Sequence, residues 1–139
     1  MRSQVLVGAF LVAVFTVGTV ATHGDGAGPV RQTAVVTLQE PTLIGATIVE
    51  GPVLFIHDAE KMARGEPCTT IRLFDPEKGP AEELASFHCI PKARRVASRF
   101  TMTTRPNTEL GFGCVLVEYQ FAGDTEGHGV PLSKPLSAH

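Results

Sequence analysis

Short apolar runs separated by proline and glycine dominate the sequence from Ala34 onward. They recur at intervals of about ten residues, and no long stretch has the 3.6-residue period of a helix. The segments that we predict as strands are 35–38, 42–49, 53–57, 68–74, 84–90, 96–104 and 114–122. This pattern predicts an all-β domain, either a small antiparallel β-barrel or a β-sandwich of six to seven strands.

Two segments carry more specific structural information. Residues 53–57 (VLFIH) are apolar on both faces, which is typical of a central strand. Residues 58–64 (DAEKMAR) combine good helix formers with a capping residue, Asp58, and predict a helix of at most two turns.

The N-terminus has the three parts of a secretory signal peptide. A short basic start containing Arg2 precedes a 16-residue apolar run, 5–20, and small residues lead to a cleavage point after Ala21. The run is shorter than the roughly 20 residues that a spanning helix needs, so we expect cleavage and no stable membrane span afterwards. The sequence therefore predicts a signal-peptide helix at 1–21 and a secreted or periplasmic product.

The remaining chain divides by composition. Residues 22–33 are rich in glycine and predict a flexible leader, 34–126 form the β domain, and 127–139 predict a flexible tail. Without Arg2 the chain holds 11 basic and 14 acidic side chains, a formal charge of −3. This mild acidity gives no reason to expect nucleic-acid binding.

The three cysteines are Cys68, Cys89 and Cys114. In an oxidising compartment an odd number indicates one disulfide and one free or intermolecular thiol. We predict a Cys68–Cys89 disulfide, because each residue sits at the edge of a predicted strand and the two strands are neighbours in sequence. Closing this loop of about 20 residues would stabilise the fold by roughly 3 kcal/mol.

Three histidines, His57, His88 and His128, fall at or just beyond the ends of predicted strands. If those ends share one rim of the sheet, the imidazoles can converge on a copper or zinc ion, with the carboxylate of Glu126 beside them. The alternative is that they are ordinary strand-end histidines that bond to the backbone. No two of them lie in an H-x-H or H-E-x-x-H element, so only geometry separates these readings.

No catalytic residue is predicted. His88 and Cys89 are adjacent in an expected strand and therefore point to opposite faces, so a thiolate at Cys89 would need another base. Arg64 and Glu118 are candidate ligand-binding residues, because a guanidinium or a carboxylate can hold a polar ligand. The alternative for Arg64 is a structural role, in which it pairs with Glu66 across a turn.

A series of short motifs runs along most of the chain beyond the signal peptide. They are LQEPT (38–42), FIHD (55–58), MARGEPCT (62–69), FHC (87–89) and EYQFAGD (118–124). In this order they resemble a group of small exported bacterial proteins of unassigned function. The resemblance implies a location in the bacterial envelope and a shared β fold, and it implies no catalytic role.

Two functional hypotheses follow. The first is a non-enzymatic module of the envelope that binds an unknown small ligand or an envelope protein. The second is a copper- or zinc-binding protein that uses the strand-end histidines. Ligand nitrogens within about 4–5 Å of one another would favour the second, since metal–nitrogen bonds are about 2.0–2.1 Å long.

Overall fold

The computed structural model describes residues 30–132, and these form a mostly β domain with one short helix. The strands are β1 (Arg31–Ile44), β2 (Thr47–Asp58), β3 (Thr69–Asp75), β4 (Gly79–Phe87), β5 (Ile90–Ala93), β6 (Thr101–Pro106), β7 (Cys114–Gln120) and β8 (Glu126–Gly129). Helix α1 (Ala59–Ala63) lies between β2 and β3. Within residues 30–132 there is no apolar helix of membrane-spanning length.

All eight strands belong to one mixed sheet with the order β4-β3-β2-β1-β7-β8-β5, and β6 pairs with β7 outside this path. The all-β prediction is confirmed, but the expected closed barrel or two-sheet sandwich is not what forms. The neighbours pair antiparallel except β1 and β7, which are parallel over the pairs Thr42↔Cys114 and Leu43↔Val115. This parallel step joins a β1–β4 half to a β5–β8 half.

The two strands at opposite ends of the sheet order, β4 and β5, follow each other in the chain. Only His88 and Cys89 separate them. The end of β4 and the start of β5 are therefore three residue steps apart, or about 11 Å at most, so the sheet must curl until its edges come close together. No backbone ladder joins β4 to β5 in the described part of the chain, and we call this unpaired junction the seam.

The apolar core fills the inside of the curled sheet. Val53, Phe55 and Ile71 of β2 and β3 are fully buried and meet Leu116 and Tyr119 of β7 from the other half. Phe55 packs against Phe100 and Tyr119 with tilted rings at centroid distances of 5.0 and 5.2 Å, within the range of favourable aromatic pairs. Residues 53–57 are buried without interruption, which confirms the prediction of a central strand.

The first two strands, β1 and β2, form one long hairpin, whereas the sequence predicted three shorter strands, 35–38, 42–49 and 53–57, in this region. The turn at Gly45, which has φ of 66°, lies inside the predicted strand 42–49. Pro41, expected to end a strand, instead falls in an irregularity of the β1–β2 register between Leu38 and Thr42. Between these pairs β1 advances four residues and β2 only two, so an irregularity of two extra residues accommodates the proline, which lacks an N–H, without ending the strand.

The boundaries of the domain also differ from the compositional ones. β1 begins at Arg31 inside the predicted leader, and its Gln32 pairs with His57 of β2. β8 runs from Glu126 to Gly129 and so enters the predicted tail. Its sequence, EGHG, has the composition of a loop, but it pairs with β5 and β7 on both sides. The predicted signal peptide, 1–21, lies outside the described residues.

Helix α1 forms as the sequence predicts. The Asp58 carboxylate accepts hydrogen bonds from the backbone N–H groups of Glu60 and Lys61 at 2.9 and 3.1 Å. An N-cap of this kind satisfies donors that the first helical turn leaves free. The helix therefore starts immediately after the last residue of β2 and fixes the path of the chain toward Cys68.

Gly113 is the glycine whose replacement we expect to damage the fold most. Its φ is 75°, and an added Cβ would overlap the backbone carbonyl of Pro41 across the β1–β7 step. Gly113→Ala should lower the free energy of unfolding by about 3 kcal/mol, from left-handed backbone strain plus the overlap. Gly111→Ala is the matched control, because Gly111 has φ of 81° with open space around it, and it should cost about 1 kcal/mol. Equal losses in urea unfolding of the two variants would contradict this account.

Candidate metal centre

Four buried side chains meet beside the seam: His57, Cys68, Cys89 and His128. His57 is the penultimate residue of β2, and Cys68 precedes β3, which pairs with β2 through His57↔Thr69. Cys89 lies in the seam, and His128 belongs to β8, which pairs with β5 through Pro91↔His128. The curl of the sheet thus brings together residues from both of its halves.

The potential ligand atoms of three of these residues lie close enough together to bind a single metal ion. A nitrogen of His57 and the sulfurs of Cys68 and Cys89 are all within 4.8 Å of one another. His128 joins them from the other side, with Nδ1 3.6 Å from Cys89 Sγ. Its ring lies against that of His57, tilted by 36°, at a centroid distance of 4.2 Å.

The two sulfurs are in contact as free thiols. Cys68 Sγ and Cys89 Sγ are 2.9 Å apart, which is longer than the S–S bond of about 2.05 Å. Cys68 and Cys89 are therefore neighbours, as the predicted disulfide requires, but the structure does not contain that disulfide. Cys114 lies elsewhere, with its sulfur 3.4 Å from Thr42 Oγ1.

The two imidazoles carry buried nitrogens that lack hydrogen bonds within residues 30–132. His57 is 3% exposed and His128 is fully buried, and Nε2 of each has no such partner. The Asp124 carboxylate lies 3.7 Å from His128 Nε2, beyond hydrogen-bond distance. A buried polar atom without a hydrogen bond is costly unless something else engages it.

Burial keeps the imidazoles neutral and the thiol protonated. Burial, reinforced by the neighbouring His128, lowers the pKa of His57 to about 4. Burial also lowers the pKa of His128, against the opposing charges of Glu126 and Asp124. Burial and the hydrogen bond with Cys68 raise the pKa of the Cys89 thiol to about 12. Neutral imidazole is the form that binds metals.

A shell of aromatic and hydroxyl groups supports the cluster. The Tyr119 ring stacks on His128 at 5.0 Å, and its hydroxyl forms a short hydrogen bond with Thr69 next to Cys68. Asp124, which faces His128, accepts a hydrogen bond from the Gln32 side chain at 3.3 Å. The side chains of this shell fix where the two histidines can point.

The other residues predicted for the metal site are placed differently. His88 is exposed and Cys89 beside it is buried, but the two residues lie between β4 and β5 and not within one strand as predicted. Glu126 is half-buried near His128 and is not part of the three-residue ligand group. The structure thus brings together His57 and His128 of the predicted histidines and adds the two cysteines to them.

The two predicted ligand-binding residues are engaged in ion pairs. Arg64 pairs with Glu66 at 3.0 Å, both side chains being about half exposed, which is the turn pairing that the sequence offered as an alternative. Glu118 accepts two hydrogen bonds of 2.8 Å from Arg94. Neither residue lines the metal cluster.

The neutral state of the buried histidines predicts a loss of stability in acid. In the metal-free protein His57 takes up a proton only near pH 4 when folded, but near pH 6.5 when unfolded. The unfolded state therefore binds more protons between these values, and stability should fall by about 2–3 kcal/mol as pH drops from 6.5 to 4.

The measurement is urea unfolding of the metal-free protein at a series of pH values. His57→Gln should flatten the acid slope, and His88→Gln, at the exposed position, should leave it unchanged. Identical slopes for His57→Gln and the unmodified chain would contradict the assignment.

The sequence missed the cysteines as ligands because it assigned them to a disulfide. The signal that could have identified them is the proximity of each cysteine to a histidine-bearing strand: Cys68 follows the β2–α1 unit that holds His57, and Cys89 precedes the strand that pairs with β8.

Comparison with known proteins adds nothing to the assignment, since no protein family, curated protein or solved structure matches this chain.

Proposed function

We propose that this chain is an exported metal-binding protein that holds one zinc or copper(I) ion between Cys68, Cys89, His57 and His128. The observation that carries the proposal is the buried group of one imidazole nitrogen and two thiol sulfurs within 4.8 Å, on residues that are far apart in sequence. Thiolate and imidazole are the donors that zinc prefers in structural sites, and soft thiolates also select copper(I).

A tetrahedral ion would require the two sulfurs to move apart and His128, which lies outside the group within 4.8 Å, to move closer to the other ligands. With Zn–S bonds of about 2.3 Å and Zn–N bonds of about 2.0–2.1 Å, tetrahedral ligands lie about 3.8 Å apart for two sulfurs and about 3.5 Å apart for sulfur and nitrogen. The Cys89–His128 distance of 3.6 Å already matches the second value. The two sulfurs, at 2.9 Å, would separate by just under 1 Å.

The second shell supports the same assignment. A metal-ligating histidine usually donates its other ring N–H to a carboxylate, backbone carbonyl or water, which fixes its orientation. Asp124 lies 3.7 Å from Nε2 of His128 while Nδ1 faces Cys89, so a small shift of either side chain would give His128 this arrangement. With all four donors supplied by the chain, the site is of the closed, structural kind.

This proposal is favoured over a module that binds an unknown small ligand through Arg64 and Glu118. Both of those side chains are satisfied by neighbours at the surface, so they offer a ligand no unpaired charge. The metal cluster, in contrast, contains the buried Nε2 of His57, which has no hydrogen-bond partner within residues 30–132.

The test is a metal titration of the reduced protein under anaerobic conditions. Co²⁺ should bind at one ion per chain and give intense sulfur-to-cobalt charge-transfer absorption in the near ultraviolet, which Zn²⁺ then abolishes by displacement. Thiolate ligation also requires that binding releases protons, because the Cys89 thiol is protonated beforehand. Binding without charge-transfer absorption, or no binding at all, would contradict the proposal.

The export part of the proposal rests on the sequence of residues 1–21. N-terminal sequencing of material recovered from the periplasm or medium should begin near Thr22. A product that keeps Met1 and stays inside the cell would contradict export.

A further inference from the structure

Cys68 is one of the residues that line a small polar cavity. Its volume is ≈ 140 Å³. The lining residues whose charge or sulfur matters here are Arg31, Asp58, Lys61, Cys68, Arg72 and Glu83. The cavity is therefore lined by three cationic and two anionic residues together with Cys68, which carries one of the two clustered thiols.

The cavity contains residues of opposite charge that lie across from each other on neighbouring strands but do not form ion pairs with each other. Arg31 lies across from Asp58 in the β1–β2 register, and Arg72 lies across from Glu83 in the β3–β4 register. Neither pair forms an ion pair within residues 30–132. A ligand that carries both a carboxylate and an ammonium group would find partners for both.

The two cysteines differ in their position relative to this cavity. Cys68 is one of its lining residues, whereas Cys89 is not and lies behind it, with Sγ between Cys68 Sγ and His128 Nδ1. A sulfur compound that enters the cavity meets Cys68 first. Cys89 is then the nearest thiol that can attack Cys68 from the inside.

We propose that the cavity binds a zwitterionic amino-acid disulfide of the cystine type, and that this ligand exchanges with Cys68 and then Cys89. In the first step Cys68 sulfur attacks one sulfur of cystine, the cystine S–S bond breaks, and one cysteine leaves. In the second step Cys89 sulfur attacks Cys68 sulfur, the mixed disulfide breaks, and the second cysteine leaves.

The exchange balances without any further oxidant. Cystine is reduced to two cysteines, the two protein thiols are oxidised to one disulfide, and each leaving thiolate takes up one of the protons that Cys68 and Cys89 give up. His128 Nδ1, 3.6 Å from Cys89 Sγ, is the nearest base to carry the second of these protons. The sequence indicated that Cys89 would need a base other than its neighbour His88, and His128 is in a position to be that base.

The exchange would also regulate the proposed metal site, because it consumes the two thiols that bind the ion. This consequence rests on the proposed function. A disulfide sulfur is no longer a thiolate, so the oxidised protein has two imidazoles left for the ion. A pair of sulfurs 2.9 Å apart lies midway between a disulfide and a pair of zinc ligands. The same two residues can therefore reach either state with a displacement of less than about 1 Å.

The first arm of the test follows the order of attack in reduced protein held metal-free by a chelator. With cystine, Cys89→Ala should accumulate a cysteine adduct on Cys68 that peptide mass spectrometry locates. Cys68→Ala should form its adduct on Cys89 roughly tenfold more slowly or not at all. An adduct that forms on Cys89 as fast as on Cys68, or on neither, would overturn the proposal.

The second arm separates recognition of the zwitterion from simple exposure of the thiol. Cystine should react with the unmodified chain roughly tenfold faster than the uncharged bis(2-hydroxyethyl) disulfide, and Arg72→Ala should remove most of this preference. Lys61→Gln, on helix α1, should reduce it as well. Arg105→Ala, at an exposed position of β6, is the matched control and should keep it. Equal rates for the two disulfides in the unmodified chain would overturn recognition in the cavity.

The outcomes for the exchange and for the metal site are independent. If the chain exchanges with cystine but gives no thiolate–cobalt absorption when reduced, the metal proposal fails and the exchange stands. If it binds Co²⁺ through sulfur but shows neither the Cys68 adduct nor a preference for cystine, the exchange fails and the metal site stands. When both hold, cystine should release the bound metal at one ion per disulfide formed.

Discussion

Replacing Cys89 with alanine is expected to weaken zinc binding to the reduced protein by roughly 100-fold or more. The change removes one of two thiolate ligands from a site in which no other described carboxylate or thiol lies close enough to take its place. Cys89 is 8% exposed and occupies the seam, where the smaller alanine side chain fits without new contacts. Competition titration against a chromophoric zinc chelator measures the affinity.

Cys114→Ala provides the matched control for this loss. Cys114 is also a buried thiol with 8% exposure, but it lies beside Thr42 in the β1–β7 step. Its replacement should change the zinc affinity less than about threefold. A comparable loss in both variants would show that the effect comes from altered packing and would contradict direct ligation by Cys89.

Phe55→Ala is expected to cause the largest loss of stability of any single core substitution, about 3–5 kcal/mol. Phe55 is fully buried in the central strand and contacts Phe100 and Tyr119 from the facing part of the curled sheet. Its removal leaves a cavity between the two halves of the sheet, and a domain of this size has a total stability of only about 5–15 kcal/mol. Urea unfolding of the metal-free chain measures the effect.

The control for Phe55 is Phe112, which is 57% exposed in the loop before β7. Phe112→Ala should change the free energy of unfolding by no more than about 0.5 kcal/mol. If Phe112→Ala costs as much as Phe55→Ala, the core does not lie where the curled sheet puts it. If Phe55→Ala prevents folding altogether, Phe55→Leu, which should cost less, supplies the measurable variant.

The parts of the fold that the sequence predicts well are the local ones. The run of apolar residues at 53–57 identifies the central strand, and the capping carboxylate of Asp58 identifies the start of α1, because both depend on neighbours in the chain. The parts that differ depend on distant partners. EGHG at 126–129 becomes a strand only because β5 and β7 lie on both sides of it.

The same distinction explains what the sequence could say about the site. It selected His57 and His128 as chemically capable residues, and it paired Cys68 with Cys89. It could not show that the two pairs occupy one place, because this depends on the parallel β1–β7 step and on the curl that brings β4 to β5. Both are properties of the whole sheet, and no short stretch of the chain encodes them.

X-ray absorption at the zinc edge of the reduced, zinc-loaded protein tests the central claim most directly. Our account predicts two sulfur ligands at about 2.3 Å and two imidazole nitrogens at about 2.0–2.1 Å. A first shell made only of nitrogen and oxygen would contradict it, because the ion would then be bound somewhere other than between Cys68 and Cys89.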